Sequence, residues 1–154
     1  MSLWKTRPTL EELNKANPGT ILESLGIQFV AIGDDYLEAT MPVDSRTKQP
    51  MGLLHGGASV VLAETLGSIA SILVAGVGQK IGVGIEVSAS HLNAARSGAV
   101  TGRVTPIRLG KSIHVWEIRI RASREADSQP ICHARLTVSI KEPRSESIPH
   151  KPKE

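Results

Sequence analysis

The chain has 154 residues, room for one domain with a sizeable core. Its 40% hydrophobic and 21% charged content is that of a soluble globule, while a net charge of +3 and an aromatic content of 3% argue against a nucleic-acid partner. The single cysteine, Cys132, excludes an internal disulfide or a cysteine zinc cluster; the N-terminal stretch has no apolar signal core, so the expected location is cytoplasmic.

Thr9 followed by Glu12 is a capping-box pattern that opens a short helix, which Pro18-Gly19 closes. Residues 20–25 add a helical turn before the first strand, 27–32. Gly33-Asp34-Asp35 signals a turn, and 36–43 resumes with Leu37, Ala39 and Met41 on one face and Glu38 and Thr40 on the other. These two runs read as a hairpin. Residues 44–54 are a polar loop.

His55-Gly56-Gly57 then opens a long apolar run that ends at Gly76-Val77-Gly78. Its one charged residue is Glu64. The length favours a helix, and a helix apolar all round is a buried one. Residues 58–78 approach the length that spans a bilayer. However, Glu64 and several hydroxyl residues interrupt the run and no basic cluster flanks it, so no membrane association is expected. A carboxylate in such a helix is costly unless something pairs with it or uses it. Either a neighbouring strand supplies a bonding partner, or Glu64 is a general base or nucleophile tuned by its apolar setting.

Four period-2 segments follow. In the first, Ile81, Val83, Ile85, Val87 and Ala89 alternate with small or polar residues. The second runs from about Ala99 to Ile107. In the third, Trp116, Ile118 and Ile120 alternate with Glu117, Arg119 and Arg121. In the fourth, Cys132, Ala134, Leu136, Val138 and Ile140 alternate with His133, Arg135, Thr137 and Ser139. The connections are too short for crossover helices, so consecutive strands run antiparallel. Clean alternation means one covered sheet face, and the available cover is the long helix. The reading is therefore α+β: an antiparallel sheet of about six strands wrapped around one long central helix, in a domain over 1–141. Residues 142–154 are polar and proline-bearing, and are expected to be disordered.

The pattern Asp44-Ser45-Arg46, Gln49-Pro50, Gly52-Leu53-Leu54-His55-Gly56-Gly57, Ala63-Glu64 and Gly67-Ser68 resembles the hotdog-fold acyl-CoA thioesterases. Within them it is most similar to the 4-hydroxybenzoyl-CoA and 1,4-dihydroxy-2-naphthoyl-CoA hydrolases. The resemblance implies a dimer or a dimer of dimers acting on an acyl-CoA substrate, with coenzyme A part of that substrate and no cofactor. It implies that Glu64 is the catalytic carboxylate, that the Gly56 N–H polarises the thioester carbonyl, and that Gln49 and His55 line and orient the site. Ser68 would lie in the acyl pocket. Coenzyme A would be bound by Gly84, by His91, Leu92, Asn93 and Ala94, and by Arg108, Leu109, Gly110, Lys111, Ser112 and Ile113. Asn93 and Ala94 depart from the basic and hydroxyl residues of the naphthoyl-CoA hydrolases.

The chemistry suits these residue types. An attacked thioester carbonyl becomes an oxyanion, which backbone N–H groups at a helix start stabilise. Attack needs a carboxylate to activate water or to add to the carbonyl. Gly56 and Glu64 are eight positions apart, roughly 12 Å along a helix, whereas both must approach one reacting centre to about 3 Å. Two antiparallel copies could meet that condition, so the mechanism calls for a dimer with two sites across its seam. His55 reads equally as a structural histidine, and Gln49 as an exposed loop residue. Arg96, Arg108 and Lys111 are candidates for phosphate contact. The histidines show no metal-ligand spacing, so no metal is expected. A non-catalytic acyl-CoA-binding module, or a dehydratase on the same fold, is the alternative.

Overall fold

A computed structural model describes residues 2–125 and 127–143. Its elements run α1 (Leu10–Asn14), α2 (Ile21–Leu25), β1 (Gln28–Ile32), β2 (Leu37–Pro42), α3 (Gly56–Ala75), β3 (Ile81–His91), β4 (Ala99–Leu109), β5 (Ile113–Arg121) and β6 (Pro130–Lys141). The capping box forms as expected: Thr9 Oγ1 accepts from Glu12 N, and Glu12 Oε2 accepts from Thr9 N at 2.8 Å. Gly26, left-handed at φ 67°, ends α2.

The six strands form one antiparallel sheet in the order β1-β2-β4-β5-β6-β3. β3 and β4 run in opposite directions, as short connections require, yet they are not neighbours. The segment between them crosses the start of α3 instead, tied there by Leu54 N to Ala95 O and Val43 N to Gly98 O, each at 2.8 Å. This crossing carries the end of β3 to the N-terminus of the helix.

Leu62, Ala63, Leu66 and Ala70 of α3 meet the inward residues Leu37, Ala39, Met41, Val104, Ile118, Ile120, Leu136 and Val138, all fully buried. Burying each larger side chain contributes about 1.5–3 kcal/mol. α3 is long and apolar enough to cross a membrane, but here it is the core helix of a folded domain. Trp116 Nε1 donates to Ser71 Oγ at 2.7 Å, which satisfies both buried polar groups, and Trp4 stacks on the Trp116 ring. Cys132 is buried and free, and burial raises its thiol pKa, as a packing residue requires.

β3 departs from the expected alternation. Gly82 and Gly84 pair with the inward residues Ile140 and Val138, so they face the helix, while Val83 and Ile85 are exposed. A bulge between Gly84 and Glu86 then reverses the phase, and Val87 and Ala89 pack against the core. The reason is close approach: a Cβ on Gly82 would touch Ser71, Ile72 and Val138, and one on Gly84 would overlap Glu64 Oε1. Glu142, just after β6, pairs with Lys80; the expected disordered tail lies, beyond residue 143, outside the described residues.

Candidate active site

The N-terminus of α3 is built by the loop before it. Asp44 accepts from the backbone and guanidinium of Arg46, which holds its carboxyl down to about 2. His55 N donates to Thr47 O at 2.8 Å, and His55 caps the helix, its Nδ1 accepting from Gly57 N at 2.8 Å. Gly56 is the first helical residue. Among the described residues nothing accepts from its N–H, which lies at the positive end of the helix dipole.

Around Gly56 opens a cleft of about 390 Å³, lined by Gln49, Leu53, Leu54, Ser59, His91, Leu92, Asn93, Ala94 and Ile131. The Gln49 Oε1 is occupied by Met51 N, which leaves the amide Nε2 to donate. The His91 ring lies directly on Gly56: a Cβ there would stand 2.7 Å from His91 Nε2. Asn93 Nδ2 donates to Pro130 O at 2.7 Å, so its side chain braces the β3–β4 crossing.

Glu64 lies two turns along α3, half-buried, with its carboxylate against the bare Cα of Gly84 on the edge strand β3. Among the described residues neither oxygen has a hydrogen-bond or ion-pair partner. Val61, Glu64, Ser68 and Ile72 form a half-buried stripe on α3, so the described residues do not cover the helix all round. Leu109, Gly110, Lys111 and Ser112 line a third place, a cavity of about 460 Å³ at the far end of α3 with Lys5, Lys80 and His114. Arg108 and Ile113 are exposed beside it.

One chain thus brings together Gln49, Gly56 and His91 to Ala94, and separately Glu64 and Gly84. It does not unite these groups with each other, with Ser68 in a pocket, or with residues 108–113. His55 acts as a cap rather than as a lining residue. Sequence reasoning passed over Ser59 and Ile131; neither carries a motif, and the strand order alone puts Ile131 at the helix start.

An antiparallel sheet rolled round one long helix defines the hotdog class of thioesterase folds. The Thioesterase superfamily model matches residues 51–128, and the chain belongs to this family. The 1,4-dihydroxy-2-naphthoyl-CoA hydrolase of Escherichia coli is 51% identical over 138 residues, covering 90% of this chain and 98% of that protein. A thioesterase of Pseudomonas aeruginosa, crystallised as its Q49A variant, superposes with a TM-score of 0.87 at 51% identity, covering 92% of this chain and 100% of that one. A thioesterase of Staphylococcus aureus is 37% identical with a TM-score of 0.74, covering 80% of this chain and 100% of that one. It has been solved with a glutamate and, separately, a glutamine replaced by alanine; their spacing (47 − 32) is fifteen, as for Glu64 and Gln49 here (64 − 49). The chemistry of this chain is thioester hydrolysis.

Proposed function

We propose that the protein hydrolyses an acyl-CoA thioester with an aromatic acyl group. Glu64 acts as base or nucleophile, and the Gly56 N–H of a partner subunit is the oxyanion donor. The observation that carries this reading is a pair of unused polar groups: a helix-start N–H and a carboxylate, both without partners among the described residues. Polar groups left so are costly, and a thioester between two subunits would use both. The cleft size falls within the roughly 300–1,000 Å³ of small-molecule sites, and Leu53, Leu54, Leu92 and Ile131 suit an apolar chain or ring. The aromatic assignment leans on the name of the Escherichia coli relative. The Gln49 amide would orient the carbonyl, His91 would flank the pantetheine path, and Arg108 and Lys111 would meet the nucleotide phosphates.

The test is thiol release by the purified protein on aromatic and aliphatic acyl-CoA panels. Glu64→Ala is expected to lower kcat about 10²–10⁴-fold with folding intact. Turnover close to the parent's would end the assignment of Glu64. A uniform preference for long aliphatic thioesters would end the aromatic one.

A further inference from the structure

The outer face of the sheet, away from α3, carries a concavity of about 200 Å³ lined by Glu38, Thr101, Arg103, Arg119, Arg121 and Arg124, together with Ser123. None of these residues lines the cleft at Gly56. Three of the arginines are brought together by sheet register. Arg103 stands directly opposite Arg119, and Thr101 opposite Arg121. Like charges placed directly across a ladder repel one another.

Contacts with carboxylates, a carbonyl and a ring offset part of that repulsion. Glu38, opposite Arg103 and with its side chain only 5% exposed, accepts from Arg103 Nε at 2.8 Å and from Arg124 at 3.4 Å. Both of its oxygens are thereby spent on guanidiniums, so it anchors the cluster without leaving a bare negative charge. Arg103 also lies 4.0 Å over the Tyr36 ring. Arg119 Nε pairs with Glu117 at 3.0 Å, and Glu117 shares its other oxygen with His133. Arg121 donates to the Ser128 carbonyl at 2.8 Å and has no carboxylate partner among the described residues.

Four guanidiniums against two carboxylates, Glu38 and Glu117, leave two positive charges unmatched. We propose that this pocket binds a phosphate-type dianion, through the guanidinium groups of Arg103, Arg119, Arg121 and Arg124. Guanidinium forks match the bidentate geometry of phosphate oxygens, and a dianion balances the excess. The pocket is smaller than the roughly 300–1,000 Å³ of whole-ligand sites, so it takes a phosphomonoester headgroup rather than an entire nucleotide. That headgroup can belong to inorganic phosphate or to the phosphomonoester of a larger metabolite.

Calorimetric titration of the full chain with inorganic phosphate tests this, at constant ionic strength set with chloride. Saturable binding is expected, weakened about tenfold or more in Arg119→Gln/Arg121→Gln. Arg119→Lys/Arg121→Lys is expected to recover only part of it, because an ammonium cannot donate as a fork. Neither residue touches Glu38, so the buried ion pair survives; an unchanged circular dichroism spectrum and thermal midpoint in chloride confirm that the variants fold. Parallel titration with coenzyme A and dephospho-coenzyme A separates the sources. Tighter binding of coenzyme A lost together with Arg121 assigns a metabolite phosphomonoester, and equal binding of phosphate alone assigns the free ion. Absence of saturable binding, equal binding by the glutamine variant, or the same response to chloride overturns the proposal. Thioester turnover does not enter these readouts, so the outcome is independent of the catalytic assignment.

Discussion

Gly56 holds the first position of a helix, where proline is at home, and this makes its N–H separable from its conformation. The preceding residue, His55, sits at φ −70° and ψ 131°, the extended region that proline requires of its neighbour. Gly56→Pro therefore deletes the donor with little backbone cost, and Gly56→Ala adds the same Cβ against His91 while keeping the donor. The proline variant is expected to lose about 10²–10³-fold in kcat beyond the alanine variant, the usual worth of one oxyanion donor. Equal kcat in the two variants would remove Gly56 N–H from the mechanism. Glu64 and Gly56 stand out as candidates in the chain because a lone charge and a glycine pair are conspicuous in a long apolar run. The His91–Gly56 contact was not legible as geometry. It depends on a strand order that no local pattern encodes.

At the scale of elements, the helix–sheet seam is set by glycine. A Cβ on Gly67 would lie 2.5 Å from Leu136 Cδ2, and one on Gly102 2.6 Å from Leu66 Cδ1. Leu136 and Leu66 are fully buried and have no room to retreat. Gly67→Val is expected to cost about 1–3 kcal/mol by overpacking, which outweighs the gain of a few tenths from better helix propensity. At about 2–4 °C per kcal/mol, the thermal midpoint should fall by several degrees. An unchanged midpoint would mean the seam is slack. The same closeness explains where alternation misled. In β3 the apolar residues of the first half face outward because only glycine fits beneath α3, and the bulge near Ile85 restores the phase. The segments without such a bulge in their centres, such as β2, were read correctly. His114 on β5 adds a pH dependence. It is buried edge-on to Trp116, its Nδ1 lacks a partner among the described residues, and burial lowers its pKa. With the folded value depressed, the unfolded chain takes up the proton first. The stability is therefore full above the ordinary histidine value of about 6.5 and is lost as pH falls from there through the folded value. Urea midpoints measured across this range should decline for the parent and flatten for His114→Phe.

For the whole molecule, the decisive length is that of one helix. α3 is unbroken from Gly56 to Ala75, so eight residues put about 12 Å between the Gly56 amide and the Glu64 backbone. Glu64 meets the surface along the edge strand β3, against Gly84, and the half-buried stripe Val61, Glu64, Ser68 and Ile72 continues that surface. An open edge beside a half-buried helix stripe of this kind is what a second copy would cover. The sequence already carried this inference, because helical rise is the same in every chain; what it lacked was the place where Glu64 emerges. If each site takes its carboxylate from one subunit and its amide from the other, two inactive chains should rescue each other. In a mixed dimer of Glu64→Ala and Gly56→Pro chains, one site holds both defects and the other holds none. Co-expression with two different affinity tags, followed by tandem purification, isolates that mixed species. It is expected to recover about half the parent's kcat per dimer, while either variant alone stays about 10²-fold or more below it. If both groups served the same subunit's site, every site in the mixed dimer would remain defective. A mixed dimer as inactive as its parents would therefore place Glu64 and Gly56 in one chain's site and reject the shared one.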